Sequence, residues 1–187
     1  MRPPLAAIHP RPTLSTRPPR CLRLLVTIAV VACAKKSLPP ATHVALVTGA
    51  AVPRYAALTL TGDSVRIGGS EAPTVLNVWA TWCTSCREEM AALDSLRTRY
   101  ESKGLRVVAV SVDNGDIDKV RRFALTNHLG MTVGHDPMSA INESYDVVGV
   151  PTTFIVGKDG TLLWRHTGNI TDAMADARAT IERSLAP

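Results

Sequence analysis

Between residues 74 and 112 the hydrophobic pattern changes period twice, and that alternation limits the possible folds more than any other feature of the chain. Thr74-Val75-Leu76-Asn77-Val78-Trp79 is short, β-branched and almost wholly apolar, the pattern of a strand buried on both faces. After it, Met90, Leu93, Leu96 and Tyr100 recur every three or four positions among Arg87, Glu88, Glu89, Asp94, Arg97 and Arg99. That spacing predicts an amphipathic helix to about Lys103, stopped by Gly104. Leu105 to Val112 is again apolar and β-branched. Strand, helix and strand in this order form a right-handed crossover between parallel strands, so the chain reads as α/β.

At the first junction stands Trp82-Cys83-Thr84-Ser85-Cys86. Cys83 falls at the helix N-terminus, where backbone N–H groups lack intrahelical partners and the macrodipole favours negative charge, so a thiolate is stabilised there and Cys83 is the expected nucleophile. Cys86 lies three residues on, on the same face and about 5–6 Å away, within reach of a reversible disulfide. A Cys-x-x-Cys pair is also half of a zinc site, but such a site needs two more ligands at similar spacing. The other cysteines, Cys21 and Cys33, lie near the N-terminus, and His128, His135 and His166 form no closely spaced pair. Redox chemistry is therefore expected, with no metal and no cofactor.

The net charge of +5 suggests an acidic partner until its distribution is considered. Arg2, Arg11, Arg17, Arg20 and Arg23 all precede residue 33, no Asp or Glu does, and without them the chain holds 16 basic and 16 acidic residues. The body is neutral by count, which removes the case for nucleic-acid binding. Directly after these arginines, Leu24 to Ala32 is uncharged and apolar, within the ~7–15 residues of a signal-peptide core and short of the ~20 of a spanning helix. Export is expected, to the periplasm or the outer side of a bacterial cytoplasmic membrane. Val30-Val31-Ala32-Cys33 resembles a bacterial lipobox, which would make Cys33 a lipid anchor and the mature N-terminus. Ala32-Cys33-Ala34 equally satisfies a small-residue cleavage rule that would free a soluble protein, and an uncleaved anchor is the third reading. We take the lipoprotein reading. Six prolines in the first 20 residues are unusual for a signal peptide and point to a start codon further on. The chain thus divides into a leader at 1–33, a tether at 34–52 with one short strand at His43 to Thr48, and a domain at 53–187.

Within the domain, Ala57 to Thr61 and Ser64 to Ile67 alternate around Gly62-Asp63, a two-residue hairpin turn. Asp116 to His128 has helical spacing, and Ser139 to Tyr145 predicts a shorter helix. Thr152 to Val156 and Thr161 to Arg165 flank Gly157-Lys158-Asp159-Gly160 as a second hairpin, and residues 171 to 185 form a last helix capped by Thr171 or Asp172. The expected result is a central mixed sheet with helices on both sides.

Taken in order, these residues resemble the thioredoxin superfamily, whose fold the AhpC/TSA and redoxin proteins share, and within it the exported TlpA/ResA-like branch. Asn77-Val78-Trp79-Ala80-Thr81-Trp82-Cys83-Thr84-Ser85-Cys86-Arg87-Glu88-Glu89 is similar to that branch's active-site stretch, and Gly149-Val150-Pro151-Thr152 to its cis-proline loop. The resemblance implies a thioredoxin-like three-layer α/β/α fold with an N-terminal hairpin, and an extra helical insertion before the cis-Pro loop. It implies that Pro151 is cis and brings the Val150 backbone beside the cysteines, where an extended segment of a partner can pair with it. Trp82 then lines the partner groove. Glu89 shares the face of Cys86, and the resemblance implies that it tunes the cysteines or takes a proton from Cys86, with burial raising its pKa. Glu88 reads as surface. Thioredoxin has a buried aspartate where this chain has Asn77, a departure that strengthens the case for Glu89.

The expected activity is therefore thiol-disulfide exchange outside the cytoplasm, with electrons from a transmembrane thiol donor and partners such as apocytochrome c or other exported disulfide-bearing proteins. Dithiols of this superfamily span potentials of roughly −270 to −120 mV, and Thr84-Ser85 lacks the histidine of strong oxidants, which favours a reductant. The alternative from another class is a copper(I) chaperone using the same cysteines, with His135, read as a loop residue, as third ligand. A peroxiredoxin-like activity fits less well, because the threonine expected three positions before the reactive cysteine is Ala80.

Overall fold

In the computed structural model residues 46–69 and 72–186 are described, and the leader, Cys21, Cys33 and most of the tether lie outside the described residues. In chain order the strands are β1 (Tyr55–Thr59), β2 (Ser64–Ile67), β3 (Thr74–Trp79), β4 (Arg106–Ser111), β5 (Thr132–His135), β6 (Thr152–Val156) and β7 (Leu162–Thr167). They form one mixed sheet in the order β2-β1-β5-β4-β3-β6-β7. The helices are α1 (Thr84–Tyr100), α2 (Ile117–Thr126), α3 (Ala140–Ser144) and α4 (Met174–Ser184).

The predicted crossover is present: β3 and β4 pair in parallel from Thr74 opposite Arg106 to Trp79 opposite Ser111, with α1 between them. All six residues of β3 are buried, as a central strand covered on both faces requires. Side chains alternate along a strand, so contacts from β3 and its neighbours sort the helices by face. Asn77 meets Glu89 of α1, and Trp79, on the same face, packs against Phe123 of α2 with ring centroids 5.0 Å apart. Tyr100 of α1 donates to Glu182 of α4, which places α4 beside α1. On the other face Tyr145, at the end of α3, packs edge-on against Phe154, the register partner of Leu76. Three layers result, as expected of a thioredoxin-like α/β fold.

Four expectations need correction. The first hairpin turns through four residues, Leu60 to Asp63, rather than two, with Thr59 N–H bonded to the Asp63 carbonyl and Gly62 at φ +91°. His135, expected in a loop, ends a strand to which the sequence pattern assigned nothing, β5, lying parallel to β4 and antiparallel to β1. Its apolar signal is a single valine, and Gly134 is closely packed: a Cβ there would stand 3.2 Å from that of Ala57, a tight contact. The last helix starts at Met174 after a 3-10 turn at Ile170–Ala173; the side-chain cap belongs to that turn and is Asn169, which accepts from Thr171 N–H, and the helix itself follows Ala173 with no side-chain cap. Of the strand expected at His43 to Thr48, only Leu46 to Thr48 is described, and those residues are not in a strand. Just after them, Gly49, Ala50 and Val52 hydrogen-bond to the β6–β7 hairpin. The helix α1 ends as expected, through a 3-10 turn at Glu101–Lys103 and Gly104 at φ +92°.

Candidate active site

Cys83 is the N-cap of α1, and its sulfur accepts a hydrogen bond of 3.2 Å from Cys86 N–H. The two cysteines form a disulfide with their Cα atoms 5.3 Å apart. They differ in access: Cys83 is 8% exposed and Cys86 is fully buried. An incoming thiolate can therefore reach only Cys83. Ser85 Oγ lies 3.6 Å from Cys83 Sγ, and the Val150 carbonyl oxygen lies 3.7 Å from it. The Val150-Pro151 peptide is cis, so the cis-proline loop stands where the resemblance placed it. Trp82, 61% exposed, and Val150 line one groove together with Val112, Asn114, Val147 and Val148.

Beneath the disulfide, Glu89 is wholly buried one helical turn beyond Cys86. Asn77 Nδ2 donates to its Oε1 at 2.7 Å and Ile170 N–H to its Oε2 at 2.6 Å. Burial pushes the carboxyl up to about 7, against the lowering effect of those two donors and with help from the Asp172 charge. Asn77 Nδ2 also donates to Thr153 Oγ1 at 3.0 Å. Glu88 is exposed, as expected.

A second buried carboxylate lies behind the loop that carries Trp82, and sequence reading missed it. Asp113, just past the end of β4, accepts from Thr81 N–H and from the hydroxyls of Thr81 and Ser111. Lys119 Nζ is 3.7 Å away. Burial works to raise this carboxyl, but the Thr81 and Ser111 donors, aided by the lysine charge, outweigh it and hold the group below the usual carboxylate range. A lone aspartate after a strand carries no motif, so only the fold reveals the anchor. Arg87 adds a further tie, donating to the Thr81 carbonyl at 2.9 Å. His135 is not a loop residue; it ends β5, buried, with Nε2 2.9 Å from the Asp113 carbonyl oxygen. Cys33 lies outside the described residues.

A disulfide poised on a helix N-terminus, with one sulfur open to attack and the other sealed, passes two electrons by exchange. On this fold that defines a thioredoxin-like thiol-disulfide oxidoreductase. Comparison with known sequences agrees: the sequence model of the AhpC/TSA family matches residues 48–165, and the chain belongs to that family, in its TlpA/ResA-like part. It is 35% identical over 132 residues to the thioredoxin-like protein YneN of Bacillus subtilis (strain 168), covering 69% of this chain and 76% of that one. It is 31% identical over 124 residues to the thiol-disulfide oxidoreductase ResA of Bacillus thuringiensis subsp. konkukian (strain 97-27), covering 66% of this chain and 71% of ResA. Among solved structures, a candidate thiol:disulfide interchange protein DsbE from Chlorobium tepidum superposes with a TM-score of 0.70 at 27% identity, over 76% of this chain and 100% of that one.

Proposed function

We propose that this chain works outside the cytoplasm as a reductant of disulfides in exported partner proteins, recharged by a transmembrane thiol donor and held to the membrane through Cys33. The observation that carries the reading is the asymmetry of the pair. In the reduced state the Cys83 thiolate, stabilised by the helix N-terminus, attacks a partner disulfide and forms a mixed disulfide, releasing one partner thiolate. Cys86 then attacks Cys83, the mixed disulfide breaks, and the partner leaves with two electrons and, after protonation, two thiols. Glu89, one turn from Cys86 and with a pKa of about 7, takes the proton that Cys86 gives up. The exposed Trp82 and the Val150 carbonyl receive the partner's extended segment beside the sulfur. Location rests on the arginine-rich leader and its short apolar core. No helix among the described residues is long and apolar enough to cross a membrane.

Two measurements test this. A Cys86→Ala chain is expected to accumulate mixed disulfides through Cys83, and a Cys83→Ala chain none. Equilibration of the Cys83/Cys86 pair against glutathione or dithiothreitol buffers, read by thiol alkylation, is expected to give a potential well below that of an oxidising compartment. A high potential would make the chain a disulfide donor instead. Copper(I) binding that persists in Cys86→Ser, or that requires His135, would bring the metallochaperone reading forward.

A further inference from the structure

We propose that Asn77 is the positioning residue that serves Glu89 in both of its protonation states, by turning its side-chain amide over. The meaning of this for electron transfer rests on the thiol-disulfide reading above; the geometry does not. As it stands, Glu89 meets donors only, Asn77 Nδ2 on one oxygen and Ile170 N–H on the other. Two donors suit a carboxylate. They do not suit a carboxylic acid, whose own O–H must find an acceptor. A backbone N–H cannot become one, and Glu89 is fully enclosed, so water does not supply one freely.

Asn77 can supply the acceptor. Its Oδ1 is buried and has no hydrogen-bond partner, which leaves half of the side chain's capacity unused next to the group that titrates. Turning the amide by half a revolution puts Oδ1 where Nδ2 stands, facing Glu89 and Thr153. Oδ1 then accepts from the Glu89 O–H. It also accepts from the Thr153 hydroxyl, which changes from acceptor to donor, a freedom that a hydroxyl has and an N–H lacks. In the present orientation the other half of the amide, Oδ1, has no partner to lose, so the turn exchanges the two hydrogen bonds made by Nδ2 for two made by Oδ1. Asparagine is the residue this needs: leucine at this position would serve neither state, and aspartate would add a second charge beside Glu89. The other titratable groups around Glu89 are Cys86 on its own helix, Asp172 on the 3-10 turn, and His166 on β7, the register partner of Thr153. With the disulfide closed, Cys86 does not titrate.

The test follows the Asn77 side-chain amide by NMR in the oxidised wild-type chain while the Glu89 carboxyl carbon is titrated. Above the Glu89 midpoint the Asn77 amide protons are expected to show contacts to Thr153. Below it those contacts are expected to vanish, with the same midpoint for both signals. In Glu89→Gln the Ile170 N–H fixes the glutamine oxygen, so the glutamine Nε2 faces Asn77 and should hold the turned orientation at every pH. Asn77 amide protons that keep their Thr153 contacts throughout the titration, or a Glu89→Gln chain showing the high-pH pattern, would overturn the proposal. Mixed-disulfide trapping with Cys86→Ala separates the two readings. An amide that turns in a chain trapping no partner refutes the exchange reading alone, and a fixed amide in a chain that traps partners refutes this one alone.

Discussion

Glu89 and Asp113 are both buried carboxylates, placed on either side of the segment that carries the cysteines, and their surroundings push them in opposite directions. Glu89 sits between α1 and the sheet with two donors and no counter-charge, and is raised to about 7. Asp113 sits at the mouth of the sheet with three close donors and an exposed lysine, and is lowered. Depth of burial is therefore weighed against the groups that face the carboxylate: Glu89 is the deeper and has no counter-charge, and Asp113 has one more donor and a lysine. A carboxylate saturated with donors is an anchor, and one left short of them holds and releases protons near neutrality.

The contrast is broken most forcefully at the anchor. Asp113→Ala leaves the Thr81 N–H and two hydroxyls without their acceptor, and is expected to cost about 3–4 kcal/mol in urea unfolding. A loss under ~1 kcal/mol would mean that water replaces the carboxylate and that it anchors nothing.

Next comes the pH dependence. Glu89 binds its proton more tightly folded than unfolded, so its contribution favours folding at low pH and is lost as pH rises from 4.5 through about 7. Wild-type stability is expected to fall by roughly 3 kcal/mol across that window from this group, and Glu89→Gln to flatten the fall and be the more stable chain at pH 8. Asp113 acts oppositely, since its lowered pKa gives stability that is present above the ordinary carboxylate range and disappears only as pH drops below it. Denaturation curves at intervals of pH, for wild type and Glu89→Gln, separate the two contributions.

The smaller effects sharpen the comparison. Lys119→Ala removes the only charged partner seen for Asp113 among the described residues, but its side chain is 57% exposed, so the expected loss is under ~1 kcal/mol and fades with salt. Trp82→Ala, on the loop that Asp113 holds, should change stability by about 0.5 kcal/mol or less, because the indole is mostly in water. Its effect should appear instead as slower exchange with protein disulfides, and an equal slowing toward a small disulfide would deny it a part in partner binding.

What could be read from the residues alone was whatever is local. The change of period at Cys83 places the disulfide on a helix N-terminus, because period and capping are properties of neighbouring residues. Glu89 was legible for the same reason, three positions beyond Cys86 on one helical face. The second strand of the crossover was also found, whereas the cis-proline loop and the part given to Glu89 came from the family resemblance. The losses share a different cause. Thr132 to His135 is a strand because β4 and β1 pair with it, and Gly134 looks like a breaker until Ala57 of β1 and Val65 of β2 are seen to pack closely over it. The last helix begins late because Ile170 N–H turns to Glu89, 81 residues away, which no local cap predicts. Asp113 gains its meaning from Thr81, 32 positions earlier, and Asn77 from Glu89 and Thr153 on two other elements.

The unequal setting of the tryptophans has an optical consequence. Trp79 is enclosed against Phe123 and Trp164 is stacked on His166, but Trp82 stands in water one residue before the disulfide. An excited indole beside a disulfide in the chain is expected to lose emission by giving an electron to the sulfur pair, and to regain it when the pair opens into thiols. The chain thus carries its own gauge of charge state: its brightness reports how many of its molecules hold their two electrons, without label or reagent, while exchange is under way.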